Sequence, residues 1–386
     1  MKVAVAKEIE AGENRVALIP DVVARLVKQG FEICVESGAG DRAYFTDNEY
    51  ENAGATIIHD TARLWAEADA IVKVAPPTLR EVDQMRSGSI TIGFCNPLGE
   101  PTIIARMAER GVTAFAIELI PRTSRAQSMD ALSSQAGLAG YKATLLAAAA
   151  LPKFFPMLTT AAGTIRPAKV FVVGAGVAGL QAIATSRRLG AVVEAFDIRP
   201  AVKEEVQSLG AKFVEVKLEE ETVAAGGYAR EISTASKQRT QEVLADHVAQ
   251  ADVVITTAQV PGKVAPRIVT DGMVAQMKPG SVVIDLAANQ GGNCEGSEPG
   301  ATVIRHGVTI IGAENLPSSM PIHASQMYAK NIATLLALAV DQDGQFNLDF
   351  DDDIIDSACI THGGEVRNER VRSLLESMTQ GSVATS

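Results

Sequence analysis

Residues 169–197 constrain this chain more than any other stretch. Lys169-Val170-Phe171-Val172-Val173 is a short apolar run, and Gly174-Ala175-Gly176-Val177-Ala178-Gly179 follows it directly. Residues 177–189 then carry a helical pattern, and residues 192–196 read as a second buried strand. A G-x-G-x-x-G run alone is weak evidence, and its place between a strand and a helix is what gives it meaning. Gly174 permits the tight turn, Gly176 lets backbone approach a pyrophosphate, and Gly179 allows close helix–strand packing. The helix opens at Val177 and Ala178, where free N–H groups and the positive end of the helix dipole favour phosphate.

Asp197 ends the second strand. A carboxylate there accepts hydrogen bonds from both hydroxyls of an adenosine ribose and repels a 2′-phosphate, so NAD(H) is favoured over NADP(H). Ile198 and Arg199 follow, and the Arg199 cation works against that discrimination.

The same alternation fills the first 120 residues. Stretches 3–6, 32–35, 56–58, 70–74, 89–94 and 112–117 read as strands, with helix-like segments at 21–29, 48–53, 61–66 and 101–110. Strand and helix in alternation imply a parallel sheet with helices on both faces. A polar, hydroxyl-rich stretch covers 121–130, and residues 131–150 read as one long Ala- and Leu-rich helix stopped at Pro152. Further strands are expected at 212–216, 253–257, 282–286 and 308–311. Residues 218–235, with Glu219-Glu220-Glu221 and Ala225-Gly226-Gly227-Tyr228, read as a long loop. His306-Gly307 reads as a tight hairpin turn. A helix over 324–340 is expected to carry the chain back, and the acidic tail either adds elements to the first domain or docks on a partner. The fold class is therefore α/β: two doubly wound, parallel-sheet (Rossmann-like) domains linked by long helices. One is discontinuous, residues 1–130 plus 330–386, and the other covers 131–329.

Composition removes several classes of function. The net charge of −11 over 386 residues opposes sequence-independent nucleic-acid binding and docking on anionic lipid. Cys34, Cys95, Cys294 and Cys359 are scattered, with no C-x-x-C, and the histidines form no H-E-x-x-H pair, so no metal site is expected. The cysteines are expected to be reduced and buried. No apolar stretch approaches the ~18 residues of a membrane span.

Several runs resemble the NAD(H)-binding domain I of the proton-translocating transhydrogenase α subunit, in the form in which that domain is a separate chain. They are Arg122-Thr123-Ser124-Arg125-Ala126-Gln127-Ser128-Met129-Asp130, Thr160-Ala161-Ala162-Gly163, the glycine turn, Gly226-Gly227-Tyr228-Ala229, Pro261-Gly262-Lys263 and the run from Asp285 to Cys294. The resemblance implies a transhydrogenase of the Si-Re (AB-specific) type. It would transfer hydride between NADH bound here and NADP+ held on a partner β subunit. A separate membrane-spanning subunit would couple this to proton translocation, with the chain a homodimer on the cytoplasmic face. It further implies that Gln127 orients the reacting rings within a polar network of Arg122, Asp130 and Ser133, the last two holding the carboxamide region. Gly227 and Tyr228 would belong to a mobile loop closing over NAD(H), and Ala258 would line the site through its backbone.

Alanine dehydrogenase shares this superfamily and is the competing class. Arg15 and Lys73 stand where that enzyme holds its substrate carboxylate and carbonyl; the alternative for both is a surface ion pair or an interdomain salt bridge. Reducing an imino acid requires proton transfer as well as hydride transfer, hence a titrating group. Where alanine dehydrogenase has a histidine and an aspartate, this chain aligns Asn96 and Asn289. Asparagine does not titrate in the useful range. Hydride exchange between two nicotinamides needs no such group.

Overall fold

The computed structural model describes residues 1–216, 233–260, 263–341 and 346–383. The chain begins with β1 (Lys2–Val5), α1 (Pro20–Lys28), β2 (Glu32–Glu36), α2 (Asp47–Asn52), β3 (Thr56–Ile58), α3 (Thr61–Glu67), β4 (Ala70–Val72), α4 (Leu79–Gln84), β5 (Ile90–Gly93), α5 (Pro101–Glu109) and β6 (Thr113–Ala116). Every residue of β4, β5 and β6 is buried. That explains their near-continuous apolar sequence, since a parallel strand covered on both faces has no solvent side to mark. Pro20 and Pro101 open their helices, where a missing N–H costs nothing. α2 and α4 start on capping boxes, Thr46 with Glu49 and Thr78 with Glu81. The apolar pattern of the sequence does not announce α4; its capping box does.

The long helix α6 (Ala131–Ala150) leads to a small exposed hairpin, β7 (Leu158–Thr160) and β8 (Gly163–Ile165). Then come β9 (Lys169–Val173), α7 (Val177–Arg188), β10 (Val192–Phe196), α8 (Lys203–Ser208), β11 (Lys212–Phe213), α9 (Thr234–Gln250), β12 (Val253–Thr256), α10 (Asp271–Val274), β13 (Val282–Asp285), β14 (Thr302–Arg305) and β15 (Val308–Gly312). Their sheet runs β11-β10-β9-β12-β13-β15-β14. It is parallel except for β14, which turns into β15 through His306-Gly307. Alternate residues of its strands feed two cores. Val170, Val172, Val253 and Ile255 enter one; Phe171, Val173 and Val254 enter the other.

The chain ends with α11 (Pro321–Ala339), α12 (Asp353–Ala358), β16 (Cys359–His362), β17 (Glu365–Val366) and α13 (Glu369–Val383). The acidic tail adds elements to the first sheet, whose order is β17-β16-β6-β5-β4-β1-β2-β3. β16 pairs antiparallel with β6 and β17 antiparallel with β16. Both large sheets thus have the doubly wound order, with the strand sequence reversing at β1/β4 and at β9/β12.

The chain forms two units, Met1–Gln135 with Ser318–Ser386, and Ala136–Pro317. The division falls inside α6. The chain is back in the first unit at Ser318, before α11 begins, so α11 does not make the return crossing. All four cysteines are free and buried. Among the described residues no helix is long and apolar enough to cross a membrane.

Candidate nucleotide site

In the second unit, β9 and β12 are neighbours that diverge toward opposite edges of the sheet. Their carboxyl ends frame the crevice where doubly wound folds bind ligands. Gly174 turns the chain out of β9 with φ +99°, a conformation costly for any residue with a Cβ. Gly179 packs so closely that a Cβ would lie 1.8 Å from the Gly174 carbonyl oxygen. A Cβ on Gly176 would meet nothing within 4 Å. That opening, beside the exposed Val177 and half-buried Ala178 at the start of α7, fits a pyrophosphate approaching the backbone.

Asp197 follows β10 and is 8% exposed. Its Oδ2 accepts from the Ala175 amide at 2.7 Å and from Arg199 Nη2 at 2.9 Å. Its Oδ1 accepts from the Arg199 amide and from Nε, each at 2.9 Å. These hydrogen bonds raise the Arg199 pKa. The carboxylate therefore braces the glycine turn, and Arg199 is its partner in this structure. Ile198 packs on the adjacent core. Ala258, just past β12, has both main-chain groups engaged by Asn293. Gly227 and Tyr228 lie outside the described residues, as do most of the loop expected at 218–235 and Pro261-Gly262.

Arg122, Gln127, Asp130 and Ser133 belong to the first unit. Arg122 and Gln127 are exposed, Gln127 on a 3-10 turn (Gln127–Met129). Asp130 accepts from the Ser133 amide at 2.8 Å and from its hydroxyl at 2.6 Å, so the pair caps α6. The turn is fastened on both sides. Asn331 of α11 donates to the Ser128 carbonyl at 2.8 Å, and Arg125 pairs with Asp352 and Asp353. The Arg125 hydrogen bonds hold Asp352 down at about 2.

Arg15 and Lys73 correct the expectation of surface or interdomain ion pairs, for both are buried within the first unit. Arg15 forks onto Glu13 at 2.8 and 2.6 Å and reaches Gln135 at 3.0 Å. Lys73 Nζ lies 2.8 Å from Glu81 and 3.6 Å from Glu8. Burial pulls the Lys73 ammonium down, but Glu8 and Glu81 more than offset it. Burial pushes Glu8 up to about 7, with Lys73 opposing. Lys73 and Glu8 follow β4 and β1, so this cluster sits where the first sheet reverses. Asn96 is exposed on a turn with φ +45°, its amide and that of Cys95 donating to Glu118 at 2.6 and 2.9 Å. Asn289 is exposed on a 3-10 turn.

Two family descriptions match the chain: alanine dehydrogenase/PNT, N-terminal domain, over residues 4–139, and alanine dehydrogenase/PNT, C-terminal domain, over residues 143–369. The chain belongs to the alanine dehydrogenase/PNT family. Within it, the first of the chains that make up the NAD(P) transhydrogenase subunit alpha of Rhodospirillum rubrum is 46% identical, over 95% of this chain and 97% of that one. The alanine dehydrogenase of Bacillus subtilis is 30% identical over 96% and 94%. The solved transhydrogenase from Sinorhizobium meliloti superposes with TM-score 0.83 at 44% identity, covering 96% of this chain and 100% of that one. Both subgroups of the family thus share the architecture seen here.

Asp285, Asn293 and Thr257 were not legible as site residues. Asp285 and Asn293 stand in the run from Asp285 to Cys294, but their roles depend on partners that only the fold supplies.

Proposed function

We propose that this chain is the NAD(H)-binding subunit of a proton-translocating transhydrogenase. In this reading hydride passes between NADH held here and NADP+ held on a partner subunit, with Si-Re (AB-specific) stereochemistry. A membrane-spanning partner couples transfer to proton movement, and the chain works as a homodimer, peripheral to the membrane on the cytoplasmic side. The carrying observation is that Asn96 and Asn289 occupy the turns where the dehydrogenase subgroup needs titrating groups. Exchange between nicotinamides requires close, water-excluded placement and no acid or base.

The residues of the second unit suit the dinucleotide. Backbone at Gly174, Gly176, Val177, Ala178 and Gly179 would take the pyrophosphate. Asp197, Ile198 and Arg199 would take the adenosine ribose, with Arg199 yielding its bonds to Asp197 as the ribose arrives. Ala258 would line the opposite side, and Gly227 and Tyr228 would close over it. When bound, NADH supplies the hydride. Gln127, with Arg122, Asp130 and Ser133, would supply polar contacts that orient the rings, Asp130 and Ser133 also fixing the start of α6.

The second reading is a soluble alanine-type dehydrogenase, favoured by the buried Arg15 and Lys73. Both already carry carboxylate partners from their own chain. Hydride transfer from NADH to an NADP+ analogue, seen only when an NADP(H)-binding partner is added, supports the first reading. Alanine-dependent NAD+ reduction by the chain alone would replace it with the second.

A further inference from the structure

Asn293 is fully buried in the second unit, close to the end of β12. Its side chain closes a ring of two hydrogen bonds with one residue: Oδ1 accepts from the Ala258 amide at 2.9 Å, and Nδ2 donates to the Ala258 carbonyl at 2.8 Å. This is the exchange made by paired residues of antiparallel strands, here supplied by a side chain after β12 has ended. The second N–H of Nδ2 goes to the Pro266 carbonyl at 2.9 Å. One amide thus clasps both ends of the segment from 258 to 266. Its own main-chain oxygen accepts from the Ile268 and Val269 amides at 2.9 and 3.0 Å.

The side chain's orientation is fixed from the next strand. Asp285, at the end of β13 and fully buried, accepts from the Cys294 amide at 3.0 Å. It also accepts from the Ala287 amide at 2.9 Å and the Thr256 hydroxyl at 3.0 Å. What Asn293 holds lies against the glycine turn. Thr257 Oγ1 donates to the Gly174 carbonyl at 3.0 Å, and a Cβ on Gly174 would stand 3.3 Å from the Ala258 nitrogen. β12 flanks β9 on the side away from β10 and Asp197. In a doubly wound site the adenosine half lies on the Asp197 side, which puts the nicotinamide half over β12.

We infer that Asn293 is the positioning residue for the nicotinamide half of the site: it holds the Ala258 backbone against the glycine turn before the dinucleotide arrives. The inference rests on the reading of this unit as an NAD(H) site. Only a primary amide fills the role, because the position requires two donors and an acceptor in one plane. A carboxylate would face the Ala258 and Pro266 carbonyls with no proton to offer, and an alkyl group would leave all three partners buried and unpaired.

The test compares NADH with AMP, which carries the adenosine half alone, on the full chain and on Asn293→Asp and Asn293→Ser. Losing these bonds should raise the NADH Kd about tenfold or more, the scale of a buried hydrogen bond left unmade, while the AMP Kd stays within about twofold. Unchanged NADH affinity in a folded variant would overturn the inference, and so would equal losses for NADH and AMP. A measurement on the wild-type chain does not depend on either variant folding. The Ala258 amide should resist hydrogen exchange without ligand, and exchange at the rate of an exposed amide would overturn the inference too. A wild-type chain that binds AMP and NADH equally weakly would remove the NAD(H) reading itself.

Discussion

Glu8→Gln should make the first unit more stable at neutral and alkaline pH, although it removes a charge from a buried ion cluster. Glu8 is 3% exposed and accepts from the Val74 amide at 2.6 Å and the Ala75 amide at 3.3 Å. Lys73 is 3.6 Å away and has a nearer partner in Glu81 at 2.8 Å. Burial therefore outweighs attraction, and the folded pKa rises from an ordinary 4.5 to about 7. The folded state holds this proton more tightly than the unfolded chain does. The group's stabilising contribution is complete below pH 4.5 and is lost as pH rises through 7. At about 1.36 kcal/mol per pH unit the full loss is about 3 kcal/mol. Glutamine keeps an acceptor for Val74 and has no proton to lose. Urea unfolding followed by Trp65, the sole tryptophan, buried with its ring 5.8 Å from Lys73 Nζ, reads this unit. The variant should match wild type near pH 4.5 and gain on it steadily, by about 3 kcal/mol at pH 8. A difference that does not change with pH, or that grows toward acid, would refute the reasoning.

Three further outcomes follow from the sites. Asp197→Ala frees the Ala175 amide and the Arg199 fork, so titration should show NADH binding weakened about tenfold; an unchanged Kd removes Asp197 from the site. Gly179→Ala would force a methyl to 1.8 Å from the Gly174 oxygen, which should cost about 1–3 kcal/mol in thermal unfolding and abolish measurable NADH binding; normal binding would contradict the close packing. Gln127→Asn shortens an exposed side chain on a turn held independently by Arg125 and Asn331. It should slow hydride transfer in the assembled enzyme and spare NADH affinity, and normal turnover would remove Gln127 from the mechanism.

The second unit was the more legible because its defining features are local. The strand, glycine turn and helix of 169–189 lie in one stretch, and β9 and β10 occupy the expected positions. Elements with weak apolar pattern were not legible. α9 has an N-cap at Ser233 but a largely polar sequence, and it gains its order by packing on the sheet. Buried charge was also hidden. A lysine is rarely fully buried, and nothing in the spacing of Glu8, Lys73 and Glu81 shows that β1 and β4 are neighbours. Asp197 was legible as a carboxylate at the right strand end, but not as one already braced by Arg199. Asn293 reads as one more residue in a glycine-rich run until Asp285 and Ala258 are brought beside it.

The donor role is tested most directly by isotope transfer. The chain is mixed with an NADP(H)-binding partner domain, NADH deuterated on its A face and an NADP+ analogue, and the reduced analogue is analysed for label. Transfer of deuterium to the B face of the analogue, without exchange with water and only when both proteins are present, is the predicted result. Transfer by the chain alone, label lost to solvent, or no transfer by the assembled proteins would contradict it.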